Sequence, residues 1–193
     1  MTPVNYSTGW SRKLPPHILD AMMSEAVQAA AQRSATAHSL IALPSTHPGQ
    51  AQVLASSARY QALCCGRRWR KSTTGLIRLV SKAERTPGGL FWWVWPSYTV
   101  GQVGWEMLRR VTAPHLPAAD VSHGRRRVRL PNGAEIWIKS ADNEDSLRGA
   151  GLDGVVFDEC RDIAERAWSE IVRPALADKR GWAMFLSTPR GHD

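Results

Sequence analysis

The stretch Cys64-Cys65-Gly66-Arg67-Arg68-Trp69-Arg70-Lys71-Ser72-Thr73 sets a lysine and two hydroxyl residues at the end of a basic loop. Between a strand and a helix such a loop can hold phosphate: backbone N–H groups at the helix N-terminus meet the anion, and the lysine neutralises its oxygens. Lys71 is then spaced for the β- and γ-phosphates of a nucleotide, and the Ser72 hydroxyl for a Mg²⁺ ion. Two later clusters complete such a site. Asp158-Glu159 follows the apolar run Gly154-Val155-Val156-Phe157; Asp158 can hold the Mg²⁺ that Ser72 ligates, and Glu159 can polarise an attacking water. Ser187-Thr188 follows the apolar run Trp182–Leu186 and can sense the γ-phosphate. The loop departs from the usual G-x-x-x-x-G-K-[ST] twice, with Cys65 at the first glycine and Arg70 at the second. A left-handed backbone at the second position costs a residue with a Cβ roughly 1–2 kcal/mol. Arg70 therefore predicts weak but real nucleotide binding, helped where its guanidinium turns outward to phosphate.

The flanking text supplies elements that can position these residues. Tyr60–Cys65 reads as a short strand ending at Gly66, and Lys71–Lys82 as a helix burying Leu76, Ile77, Leu79 and Val80. Leu90–Trp95 is a second strand, followed after Pro96 by Val100, Val103, Met107, Leu108 and Val111 at helical spacing. Arg126–Leu130 and Ala134–Lys139 flank Pro131-Asn132-Gly133 as a β-hairpin. Val155–Phe157 and Trp182–Leu186 are further strands, with a helix over Glu165–Val172. Buried strands alternating with helices predict an α/β fold with a mainly parallel sheet flanked by helices. Ahead of it, Ile18–Arg33 has helical spacing, and Ser34–Pro48 lacks a period and reads as a linker. The expected division is an N-terminal helix and linker over 1–46 and the main domain over 47–193.

Composition narrows the partners. The 193 residues carry 25 Lys and Arg, most of them arginine, against 17 Asp and Glu, a net charge of +8, which favours polyanions such as nucleotide or nucleic acid. Cys64, Cys65 and Cys160 have neither zinc nor disulfide-framework spacing and read as small buried residues of a reducing, cytoplasmic protein. The densest apolar run, Leu90–Trp95, stops at Pro96, so no membrane partner is expected. Of the nine tryptophans, Trp92, Trp93, Trp95, Trp105, Trp137, Trp168 and Trp182 fall in predicted strands or helices as core residues, and Trp69 lies inside the loop.

Seven segments in order, HPGQ (47–50), RYQALCCGRRWRKST (59–73), WPSY (95–98), LPNGAEIWIKSADNEDSLRG (130–149), VVFDEC (155–160), RPALADKRG (173–181) and STPRG (187–191), resemble the large terminase subunits that package DNA into the heads of tailed bacteriophages. The resemblance implies a P-loop NTPase (RecA/ASCE-like) fold, with a β-hairpin insertion and an N-terminal helical appendage. It also implies an ATPase that uses Mg-ATP to drive double-stranded DNA into a procapsid. It identifies Gln50 with the family's adenine-contacting glutamine and Arg67 with the loop arginine four residues before the lysine. Gly66, Arg67, Arg68, Trp69, Arg70, Lys71, Ser72 and Thr73 form the expected nucleotide-binding run, with Trp69 propping the loop. Ser72 and Asp158 are the Mg²⁺ ligands, Glu159 is the catalytic glutamate, and Ser187-Thr188 match the motif that couples hydrolysis to DNA movement. Family loops read GRRWGKS or GRRWGKT, so Arg70 departs at the glycine. The portal protein, a small terminase subunit, a ring of identical subunits and the cytoplasm of a bacterial host come with the resemblance.

The family continues into a nuclease domain, and because this chain stops at Asp193 no nuclease is expected in it. Its sheet is expected to lack a final strand, leaving an apolar edge. Arg125-Arg126-Arg127 stay open as DNA-backbone contacts, as arginines reaching a neighbouring subunit's phosphate, or as a solvated basic turn, and Arg148 is another candidate for contact in trans. Two other functions also stay open: a different P-loop DNA translocase or helicase, and a non-catalytic remnant that keeps DNA or partner binding.

Overall fold

The computed structural model describes residues 41–189. The predicted helix Ile18–Arg33, residues 34–40 of the predicted linker and Arg190-Gly191 lie outside the described residues. The chain runs α1 (Pro48–Ala55), β1 (Tyr60–Cys64), α2 (Lys71–Glu84), β2 (Leu90–Trp95), α3 (Tyr98–Thr112), β3 (Val121–Ser122), β4 (Arg127–Arg129), β5 (Glu135–Ser140), β6 (Gly154–Phe157) and β7 (Trp182–Ser187). The strands form one seven-stranded sheet in the order β1-β7-β6-β2-β5-β4-β3. From β1 to β5 neighbours run parallel, and β4 and β3 add antiparallel.

β2 shows how the sheet is built. All but its first residue are buried, as for a strand covered on both faces. Phe91, Trp93 and Trp95 enter a core with Leu76, Leu79 and Val80 of α2 and Trp105 and Leu108 of α3. Trp92 and Val94 enter a second core with Val155, Phe157, Ile171, Val172 and Leu176. The seven tryptophans expected in the core are all buried in, or packed against, these two layers. Ile41 is also buried in the first, and its N–H donates to Glu84 at 3.2 Å, so the packed unit reaches back past His47.

Four elements depart from the sequence reading. α1, capped by His47 and opened by Pro48, is a helix that hydrophobic periodicity does not signal. α3 turns a different face inward: Val100 and Val103 are 42% and 58% exposed, while Gly101, Gly104, Trp105 and Leu108 are buried. The indole of Trp95 lies so close that a Cβ on Gly104 would sit 2.5 Å from its Nε1. The hairpin turn stands where expected, with Leu130 N donating to Ala134 O at 2.8 Å, yet its second strand, β5, pairs parallel with β2 and is integral to the sheet. The helix expected over Glu165–Val172 is wound as a π-helix over Ala167–Val172; Pro174 just beyond it has no N–H to return to Glu170. No helix among the described residues is long and apolar enough to cross a membrane.

Candidate functional site

β1, β7 and β6 are adjacent and parallel, so the loop 65–70, Ser187-Thr188 and Asp158-Glu159 all emerge at the same, C-terminal edge of the sheet. That edge is where open α/β sheets place ligands. Register sets Cys64 beside Ser187, and the N–H of Cys65 donates to Ser187 O at 3.2 Å, joining the start of the loop to the end of β7.

Within the loop, Arg68 and Arg70 both have left-handed backbones, φ 67° and 66°. The second is the position where the usual pattern carries glycine, so the expected steric cost applies to Arg70. Arg70 is the N-cap of α2, and no side chain caps that helix; its first N–H groups are thus left for a ligand. Lys71 is buried and folds back across the loop, donating from Nζ to Cys65 O at 2.9 Å and Gly66 O at 3.3 Å. Gly66, Arg67, Arg68 and Arg70 are exposed, and Ser72 and Thr73 half-buried. The Arg70 guanidinium turns outward and reaches Ser45 O at 3.5 Å.

Asp158 is the most constrained group of the site. It is fully buried, and its carboxylate accepts hydrogen bonds from the Glu159 N–H at 3.1 Å and Trp93 Nε1 at 3.2 Å, with the Ser72 hydroxyl close by. Burial pushes its carboxyl up to about 6; the Glu159 charge adds to the rise, and the neighbouring Ser72 hydroxyl, Glu159 N–H and Trp93 indole hold it down. Glu159 is half-buried and left-handed, φ 48°, the kind of backbone strain that gathers at functional sites. Beyond it, burial pushes the Cys160 thiol up, and Ser187 works against that rise. Arg161 Nη1 donates to Thr188 O at 3.0 Å.

The structure brings Lys71, Ser72, Asp158, Glu159 and Ser187-Thr188 to one edge. Gln50, expected at the adenine, is bonded within the protein. It is fully buried; its Oε1 accepts from His47 N at 3.1 Å, and its Nε2 donates to Arg70 O at 3.2 Å and Thr74 Oγ1 at 2.9 Å. As placed, its amide is spent on the protein. Cys64 is exposed and Cys65 and Cys160 half-buried, so the expectation of three small buried thiols is corrected; β1 is an edge strand whose alternate residues face outward. Of the basic run, Arg127 is paired with Glu135 and stacked over Trp137, and Arg126 donates to Tyr98 O at 2.6 Å. Arg125 and Arg148 are exposed. Sequence reading misses His47, Trp93 and Arg161. A Pro-Gly-Gln run behind a possible cap was a local signal for the first; the other two have partners far along the chain.

A mostly parallel sheet with a lysine-bearing strand-to-helix loop beside a buried carboxylate at the end of a nearby strand defines a P-loop NTPase-type domain. Residues 66–193 match the family described as terminase large subunit, T4likevirus-type, N-terminal. The chain is 34% identical over 165 residues to the terminase large subunit of Thermus virus P23-45, covering 75% of this chain and 34% of that protein. It is 29% identical over 140 residues to that of Escherichia phage T5, covering 69% and 31%. Among solved structures, the large terminase ATPase domain of Thermus phage P74-26 superposes with a TM-score of 0.67 at 28% identity, covering 77% of this chain and 67% of that one. The chain therefore belongs to the terminase large subunit family, and it spans about a third of the length of the curated relatives it matches.

Proposed function

We propose that this chain is the ATP-hydrolysing part of a viral DNA-packaging motor, binding Mg-ATP at the loop between β1 and α2 and spending the hydrolysis on movement of double-stranded DNA. The observation that carries the reading is the convergence of Lys71 and Ser72 with Asp158 and Glu159 at the C-terminal edge of adjacent parallel strands, close enough that the Ser72 hydroxyl holds the Asp158 carboxyl down. The P74-26 neighbour, an ATPase domain by description, supports the choice of nucleotide.

The donor set fits Mg²⁺. One hydroxyl and one carboxylate are hard oxygen ligands, and Mg²⁺ usually takes only one or two from protein and the rest from water and phosphate. Among the described residues no three His, Cys, Asp or Glu converge, in keeping with such a sparse set. Mg²⁺, when bound, would supply positive charge to the β- and γ-phosphate oxygens. Lys71 exchanges the carbonyls of Cys65 and Gly66 for phosphate, and Arg67 and its exposed neighbours add charge at the rim. Glu159 takes the proton of the attacking water. Ser187 feels the loop directly through the Cys65 N–H, and Arg161 ties Thr188 to the turn that carries Glu159, so loop movement reaches the end of β7. A ring of copies, a portal, a small subunit and the cytoplasm of an infected bacterium complete the reading, with exposed Arg148 or Arg125 as candidates for a contact between subunits.

Steady-state ATP hydrolysis, with and without duplex DNA, tests it on the native chain, Glu159→Gln and Arg70→Gly. Turnover should drop ~10²-fold or more in the glutamine variant and rise in the glycine variant. Equal silence of native and Arg70→Gly under both conditions overturns the proposal for the isolated chain.

A further inference from the structure

Left-handed geometry at Arg70 is defined by the orientations of the two peptide planes that meet at its Cα; one short segment touches both, and Thr74 of α2 also holds the second. The carbonyl of Trp69, on the near side, lies 3.2 Å from His47 Nε2. The carbonyl of Arg70, on the far side, accepts from Gln50 Nε2 at 3.2 Å. His47 can make its bond because its other nitrogen, Nδ1, accepts the N–H of Gln50 as the N-cap of α1, which leaves the ring hydrogen on Nε2. Gln50 in turn caps His47 N, so the two residues hold each other. The rings of His47 and Trp69 meet edge to face, centroids 4.7 Å apart. Gly49 lets them close, since a Cβ there would stand 3.2 Å from both rings. The outward Arg70 guanidinium ends on the same segment, at Ser45 O.

We infer that Ser45–Gln50 is a clamp that imposes the left-handed turn on Arg70, with His47 and Gln50 as positioning residues that let an arginine stand where this kind of loop carries glycine. A strained conformation persists only when its surroundings over-determine it, and here His47 meets the near carbonyl while Gln50 adds to the bonds that Thr74 N–H and Oγ1 already make to the far one. Glycine would take this conformation without steric cost, so the clamp matters to the loop because position 70 is an arginine. The inference rests on the reading of the loop as a nucleotide site, but the clamp itself has a consequence that needs no nucleotide.

The test compares His47→Ser in the native chain and in the Arg70→Gly background. Serine keeps the cap on α1 but is too short to reach Trp69 O. With a fluorescent ATP analogue as probe, His47→Ser should weaken binding roughly tenfold in the native background, where the ligand must re-impose the strain. In the Arg70→Gly background it should weaken binding by less than about twofold, as for uncoupled sites. Equal losses in both backgrounds overturn the clamp and leave His47 as a cap alone. If neither native nor Arg70→Gly binds the analogue, the nucleotide reading fails and urea unfolding decides the clamp. His47→Ser should then cost less stability with Arg70 than in the Arg70→Gly background, because freeing the arginine releases its strain, and equal costs overturn the inference.

Discussion

At the scale of single residues, the site holds one carboxyl against its own ionisation. Asp158 stands at about 6 instead of 3.8 because burial outweighs the stabilisation of its charge by the Ser72 hydroxyl, the Glu159 N–H and Trp93. A folded-state value raised above the unfolded one means that the folded state binds the proton more tightly. The ionised form therefore opposes folding above about 6, and the opposition fades as pH falls through 6 towards 4. At full ionisation it amounts to ~3 kcal/mol. Asp158→Asn should accordingly raise the stability of the nucleotide-free protein at pH 8 and have little effect near pH 4, read from urea midpoints at the two values. Trp93→Phe acts oppositely: without the indole donor at 3.2 Å the carboxyl climbs further. Its stability loss should be larger at pH 8 than at pH 4, and a loss independent of pH would show that the indole N–H does not act on Asp158.

At the scale of elements, α3 is instructive because its apolar stripe and its buried face differ. Valines at 100 and 103 look like core in the sequence, yet they face solvent while Gly101 and Gly104 let the helix settle on the Trp95 indole. Hydrophobic periodicity ranks valine above glycine, but close approach to a flat ring ranks them the other way. Gly104→Ala should destabilise the protein by about 1–3 kcal/mol through overpacking, although alanine is the better helix former by ~1 kcal/mol. Val103→Lys, on the exposed side, should change stability by no more than about 0.5 kcal/mol. Chemical denaturation of the pair checks the assignment, and a reversed order would place the valine inward. α1 escaped the sequence reading for a related reason: its mean apolar contrast is slight, and its start is fixed by His47, Pro48 and Gln50 rather than by a stripe.

At the scale of the whole molecule, the +8 charge is carried largely by exposed arginines, and it makes a polyanion the natural partner. Duplex binding gripped through phosphates should be indifferent to sequence. Between 50 and 200 mM salt it should weaken on the order of 10²-fold if about four phosphates are neutralised. Fluorescence anisotropy with two unrelated duplexes of equal length reads both properties; a strong preference for one duplex, or a flat salt response, would reject phosphate-led binding. The sheet itself was legible from the sequence in its alternation of apolar runs with helical spacings, and the five parallel strands stand within a residue or two of where those runs predict them. The strand order was not, because β7, last in the chain, inserts between β1 and β6, and local periodicity carries no information on such pairing.

By itself the sequence determined the chemical endowment of the site: a lysine and hydroxyl after a basic loop, two acids after one apolar run and two hydroxyls after another. These are readable because each motif is contiguous and each strand advertises its burial locally. Only the tertiary structure decided how those groups are held. Trp93 reaches Asp158 across 65 positions and sets how much of its charge survives burial. His47 and Gln50 reach forward 22 and 20 positions to hold the two carbonyls around Arg70. The energies of a buried carboxylate and of a left-handed arginine depend on neighbours that chain folding brings together, and no local pattern encodes them.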